Sequence, residues 1–251
     1  MKNIVLIGSG NVATHLGLSL HRKGYNIKQI WSRKLENSEI LAKKLNSTST
    51  DSLDNLKNAD LYIVAVKDDI LESIILQLDN INIIHTSGSM GLEVFGKRFK
   101  NHGILYPLQT FNKDIFLDIS HTPIFIETNN NSFEKEIINL GSNLSDKVVK
   151  MTSIQRKKLH IAAIFACNFT NHMYTIAHSI LKESNIDFEL LLPIIKQTTN
   201  KLNEEDPGKI QTGPAKRKDT EVINNHINNL SDKTIKEIYK LISKSIMNDD
   251  K

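Results

Sequence analysis

Residues 3–13 read Asn3-Ile4-Val5-Leu6-Ile7-Gly8-Ser9-Gly10-Asn11-Val12-Ala13. Four successive aliphatic residues leave no polar face. That is the mark of a short strand buried on both sides, as in a parallel sheet covered by helices. The glycines and the alanine then fall in the spacing GxGxxA, and Val12 to Lys23 continues with helical periodicity up to Gly24, a suitable helix stop. Gly8 permits the tight turn, Gly10 lets the main chain approach a pyrophosphate, and Ala13 lets the helix lie close to the strand. The free N–H groups of the helix start present partial positive charge to a phosphate. This stretch predicts the first unit of a doubly wound Rossmann sheet, with Gly8, Ser9, Gly10, Asn11 and Val12 on a dinucleotide. The bland alternative is a strand–helix turn that holds no ligand.

The rest of the first half keeps the rhythm of short apolar runs between helical patterns, which argues for βαβ units. Strands are expected at Ile27 to Trp31, Leu61 to Val66, Ile81 to Thr86, Gly103 to Leu108, Pro123 to Glu127 and Lys147 to Met151. Helices are expected at Leu35 to Leu45, Asp68 to Leu78 (capped by Asp68 or Asp69) and Phe133 to Leu144. Beyond Met151 only helical patterns follow: Ser153 to about Glu183, Phe188 to about Asn203, Asp219 to Leu230 and Thr234 to Met247. The expected organisation is an α/β chain with a Rossmann domain over 1–151 and a smaller all-helical domain over 152–251.

The end of the second strand selects the cofactor. A site for NAD would carry an acid there for the ribose hydroxyls; this chain has Trp31-Ser32-Arg33-Lys34. Ser32 and Arg33 suit a 2′-phosphate, gripped in bidentate fashion by the guanidinium, so NADP is preferred. Arg33 and Lys34 also read as solvating a helix start. Ala65 and Val66 stand at the carboxyl end of the next strand, where open sheets bind ligands, and join the cofactor set.

Composition excludes several classes. The 251 residues are 39% hydrophobic and 24% charged with a net charge of +4, ordinary for a globular chain. The basic residues are scattered, so nucleic acid is not an expected partner; Arg156-Lys157-Lys158 reads as a solvated helix start. A single cysteine, Cys167, leaves no disulfide framework and no CxxC metal site, which fits a reducing, cytoplasmic setting. No run approaches the length of a membrane span, and Ile4 to Ile7 is too short for a leader core. No metal site is expected.

Taken together, GSGNVATHL, VAVKDD, HTSGSM, YPLQTF, LHIAAIFACNFTNH and TGPAKRKD resemble the Rossmann-like family that carries a C-terminal domain of unknown function 2520. The resemblance covers nearly the whole chain. It implies an NADP-dependent oxidoreductase with a small substrate and a helical dimer interface, similar in architecture to pyrroline-5-carboxylate reductase. It supplies no reaction. Some members carry the name of coenzyme F420, for which nothing in this sequence speaks. The chain departs from the family pattern at Lys67, where proline is common, and at Lys218, where glycine is common.

Four segments offer polar groups for chemistry. His85-Thr86-Ser87-Gly88-Ser89 follows a strand, and Thr86 or Ser87 can relay a proton. In Tyr106-Pro107-Leu108-Gln109-Thr110-Phe111, Gln109 and Thr110 are polar in an apolar run and are candidate substrate contacts. At 100° per residue, His160, Cys167, Asn171 and His178 share one seam of the long helix, with Asn168 at its edge. His160 is the candidate general acid and Asn168 the candidate carbonyl holder. Related dehydrogenases often place a lysine four residues before an asparagine here; this chain has Ile164 before Asn168. By resemblance to pyrroline-5-carboxylate reductase, Thr212, Gly213 and Arg217 in the loop from Asp206 to Asp219 hold a substrate carboxylate, with Asp219 capping the next helix. Each of these polar groups also has a structural reading, as a hydrogen-bonded core or loop residue.

Two functions follow as expectations. One is a reductase or dehydrogenase that moves a hydride between NADP(H) and a C=O or C=N group of a small acid, working as a homodimer through the helical domain. The other is a non-catalytic NADP-binding sensor or scaffold, favoured by the missing lysine.

Overall fold

The computed structural model describes residues 1–115 and 117–248; Phe116 and the last three residues of the expected helical domain lie outside the described residues. The strands are β1 (Asn3–Ile7), β2 (Asn26–Trp31), β3 (Thr48–Thr50), β4 (Leu61–Val64), β5 (Ile83–His85), β6 (His102–Pro107), β7 (Ile124–Thr128) and β8 (Val148–Lys150). They form one sheet in the order β3-β2-β1-β4-β5-β6-β7-β8. All neighbours are parallel except β6 and β7, which pair antiparallel from Gly103↔Thr128 to Pro107↔Ile124. The first six strands have the order of a dinucleotide-binding sheet, and the chain reverses direction across the sheet between β1 and β4.

Helices α1 (Asn11–Arg22), α2 (Leu35–Leu45), α3 (Asp68–Ile75) and α4 (Asn131–Leu144) cover the sheet. The all-apolar β1 shows why. Ile4 and Leu6 pack with Leu16, Leu20, Leu41 and Phe133 on one face, while Val5 and Ile7 pack with Trp31, Leu71 and Phe95 on the other. Period-two alternation with both faces covered leaves every side chain of Ile4 to Ile7 buried.

The chain divides into two compact units, Met1–Asn168 and Phe169–Lys251. The strands stop near Met151, as the pattern predicts, but the first unit runs on through α5 (Ser153–Ala163). Arg156 explains this: read above as solvated, it is fully buried. Its guanidinium bonds Glu127 Oε2 on β7 at 2.8 Å, Ser153 Oγ at 3.2 Å and the Met90 carbonyl, and so ties the helix start to the sheet. After α5 the backbone makes a π turn over Ile164–Phe169 and continues as α6 (Thr170–Glu183). The units part inside that turn.

The second unit holds α6, α7 (Leu192–Asn200), α8 (Thr220–Asn229) and α9 (Lys233–Met247), with Asp219 and Asp232 capping the last two. Among the described residues 169–248 only Ala215, Ile223 and Ser243 are buried. No helix of the described residues is long and apolar enough to cross a membrane.

Candidate functional site

The turn after β1 is shaped by Gly8, whose φ is +126°. Its N–H donates to the Trp31 carbonyl at 2.9 Å, and an added Cβ would stand 2.2 Å from the Ala65 carbonyl oxygen. The backbones of β1 and β4 meet there with no room for a side chain. Gly10 begins α1 with open space around it, no capping side chain and no acid in the first turn. The helix start is thus left to serve an anion.

A cavity of about 980 Å³ opens at the carboxyl ends of β2, β1, β4, β5 and β6. Its lining includes five cations, Arg33, Lys34, Lys44, Lys67 and Lys113, against one carboxylate, Asp68. All nine expected cofactor residues line it: Gly8, Ser9, Gly10, Asn11, Val12, Ser32, Arg33, Ala65 and Val66. Lys34, Asn37 and Lys44 add to the end near Arg33, and no acid lines the cavity there.

At the other end stand Thr86, Ser87, Gly88, Tyr106 and His160. Tyr106 Oη lies 2.9 Å from His160 Nδ1, and the two rings meet edge to face. Burial pushes the Tyr106 phenol up to about 12, against a smaller downward pull from Arg156. Gly88 packs on this pair; a Cβ there would stand 2.7 Å from His160 Nδ1 and 2.9 Å from Tyr106 Cζ. The Thr86 side chain is buried, lines the cavity and has no hydrogen-bond partner among the described residues.

Ser87 is occupied otherwise. Its Oγ accepts the Ser89 N–H at 3.1 Å and the Met90 N–H at 3.0 Å, so it builds the turn. His85 supports the same loop from below. Its Nδ1 accepts the Ser87 N–H at 3.1 Å, which leaves Nε2–H to face the Gly91 carbonyl at 3.3 Å. Burial holds His85 down to about 4, so it sits neutral in the core. Asp68 and Asp69 do not cap α3; Lys67 occupies the cap position, and Asp68 accepts the Ser89 hydroxyl instead.

Other expected residues fall elsewhere. Thr110 turns its N–H and hydroxyl to Gln109 Oε1 and is absent from the lining, whereas Gln109 is part of it. Asn168 is exposed and does not line the cavity. Asn168 comes eight residues after His160, about 12 Å further along the helix axis, and no residue after His160 lines the cavity; the π turn at Ile164–Phe169 also breaks the 100° count that put Cys167 on the seam. Thr212 and Arg217 are exposed in the second unit, and Gly213 has φ +102°. Lys218 has φ +57°, the left-handed region, which gives the family's usual glycine a backbone reason. Tyr106 was passed over because its ring completes an apolar run; its position at the end of β6 was the available signal.

Residues 3–85 match the family described as NADP oxidoreductase, coenzyme F420-dependent, and residues 122–246 match the domain of unknown function 2520. A Bacteroides fragilis protein described as a "putative NADP oxidoreductase" is 40% identical, with 98% of each chain covered and a TM-score of 0.92. The chain belongs to this NADP oxidoreductase family. The same fold is shared at lower identity. Pyrroline-5-carboxylate reductase from Streptococcus pyogenes is 15% identical over 98% of each chain, with a TM-score of 0.63. An imine reductase from Myxococcus stipitatus, solved with NADP+, is 16% identical over 98% of this chain and 91% of its own, also with a TM-score of 0.63. Comparison with curated proteins gives no match. The oxidoreductase therefore takes NADP as its cofactor. The residues present fit that group: a turn with no space for a Cβ at Gly8, an open helix start, and cations without an acid at the end of β2.

Proposed function

We propose that this oxidoreductase moves a hydride between NADP(H) and a C=O or C=N group of a small acid, with His160 handling the proton. The observation that supports the reading is that one cavity carries the dinucleotide turn at one end and the Tyr106–His160 pair at the other. When bound, the cofactor supplies the hydride chemistry. The chain's own groups do the rest. Gly8, Ser9, Gly10, Asn11 and Val12 hold the pyrophosphate with main-chain N–H groups, and Ser32 and Arg33 hold the 2′-phosphate, with Ala65 and Val66 forming the wall between. Tyr106 fixes His160 through Nδ1, and Gly88 leaves the pair room to meet. The His160 imidazole gives or takes the proton, and the Thr86 hydroxyl orients the reacting oxygen or nitrogen. Ser87 serves through its turn. Gln109 faces the substrate; for Thr212, Gly213 and Arg217 the carboxylate role rests on the resemblance to pyrroline-5-carboxylate reductase alone. Thr110 and Asn168 lose their support, since neither lines the cavity.

The working form under this proposal is a homodimer joined through the helical unit and placed in the cytoplasm. Three buried residues in 169–248 are too few to hold four helices, and Leu190, Ile194, Leu202 and Leu241 stand exposed. Apolar surface on that scale marks an interface. The test is NADPH oxidation followed at 340 nm over cyclic imino acids, 2-oxo acids and aldehydes, with His160→Ala as control. Turnover of one class, cut at least ~100-fold in the variant, is expected. NADPH binding without turnover of any class would end the catalytic reading.

A further inference from the structure

The connection from β6 to β7 leaves the sheet at Pro107 and crosses to the start of α1. Along it, Gln109, Phe111 and Lys113 line the cavity, whereas Thr110 and Asn112 do not. Every second side chain facing one way is the signature of an extended strap. Two contacts fasten it. His15 on α1, nearly fully buried, donates from Nε2 to the Asn112 carbonyl at 2.9 Å and stacks on Phe111 with ring centres 4.9 Å apart. The Lys113 N–H donates to Asn11 Oδ1 at 3.2 Å, and Asn11 is the first residue of α1. The Lys113 main chain is therefore fixed beside the open helix start, and its ammonium has no ion pair among the described residues.

We propose that residues 109–113 form a second wall of the cofactor site and that the Lys113 ammonium binds the dinucleotide's pyrophosphate from the side opposite the glycine turn, held there by His15 and Asn11. The glycine turn offers only partial charges from N–H groups. A pyrophosphate brings two full negative charges, and a lysine placed against it answers them with a full positive one. The strap begins three residues beyond Tyr106, so the segment that carries the tyrosine of the Tyr106–His160 pair also reaches the phosphates. This inference rests on the NADP reading of the cavity.

The experiment is a titration of the full chain with NADPH, NADH, ADP-ribose and adenosine 2′-monophosphate. It is read by the fluorescence of Trp31, the sole tryptophan, which lines the cavity. In Lys113→Gln the Kd for the three pyrophosphate ligands is expected to rise about 10-fold, the size of one charge-assisted contact, with adenosine 2′-monophosphate unchanged. Lys113→Arg should restore most of the loss. His15→Phe keeps a ring against Phe111 but removes the bond to Asn112; it should weaken NADPH about 3-fold alone and add nothing in the Lys113→Gln background. Unchanged NADPH affinity in Lys113→Gln, with wild-type protein binding NADPH, overturns this inference alone. So does an equal loss for adenosine 2′-monophosphate, which would place the lysine on the ribose phosphate. A wild-type chain that binds none of the pyrophosphate ligands overturns the NADP reading and this inference together.

Discussion

Replacing Arg156 by methionine tests what holds α5 to the sheet. The side chain is 1% exposed and gives three hydrogen bonds: to Glu127, to Ser153 and to the carbonyl of Met90, whose N–H closes the turn on Ser87. Its Nε has no partner, so the guanidinium is desolvated without full compensation. Removing one member of a buried pair costs roughly 3–5 kcal/mol, because the other charge is left behind. Here Glu127 remains 19% exposed and keeps the Ser153 hydroxyl at 2.5 Å, which places the loss at the low end, about 3 kcal/mol. For a chain of this size, that is a fall of roughly 6–12 °C in Tm. Glu127→Gln should lose about 2 kcal/mol by the same logic, and the double variant should lose clearly less than the sum, since nothing charged is then stranded. Urea and thermal unfolding followed by circular dichroism measure all three. NADPH affinity should stay within about 3-fold, because no contact of Arg156 reaches the glycine turn. A Tm within 2 °C of wild type for Arg156→Met, or strict additivity in the double variant, would refute the argument that this pair clamps α5.

Gly8→Ala should raise the NADPH Kd by about 100-fold or more. The added carbon meets a main-chain oxygen at 2.2 Å that cannot step aside, at a φ of +126° that alanine resists; a Kd within 3-fold of wild type would contradict the placement of the pyrophosphate. A pH series tests His85. Its folded-state value of about 4 lies below the unfolded value near 6.5, so the unfolded chain takes up the proton first. Stability from this group is complete above about pH 6.5 and falls as pH drops toward 4, with a limiting slope of about 1.4 kcal/mol per unit. His102, also held down by burial, acts in the same direction. Urea unfolding between pH 4.5 and 7.5 should show a shallower slope in His85→Asn; equal slopes in the two proteins would rule His85 out.

The residues legible in the sequence are those whose environment is set by near neighbours. Ile4 to Ile7 are buried on both faces because no polar residue interrupts them, and Leu35–Leu45 forms as its periodicity demands. The nine residues expected on the cofactor line one cavity for the same reason: they sit in turns directly after strands. β3 escaped, being three polar residues, Thr48, Ser49 and Thr50, that join the sheet edge only because Gln29, Ile30 and Trp31 offer them unpaired backbone. Arg156 was misread because its partners lie 29 and 66 positions away along the chain, beyond any local pattern. Tyr106 and His160, 54 positions apart, show the same limit.

Asn168 shows how far a helical seam can be read. A helical seam assumes a constant angle per residue, and the π turn at Ile164–Phe169 spends that constancy at the point where the two units part. His160 precedes the turn, 2.9 Å from Tyr106 Oη, whereas the residues after Ile164 follow a different angular count. Polar residues on one long helix therefore belong to one site only as far as the helix keeps its pitch. In this oxidoreductase the regular pitch ends one turn after the histidine, and the side-chain partner of His160 is Tyr106 on β6 rather than a residue of its own helix.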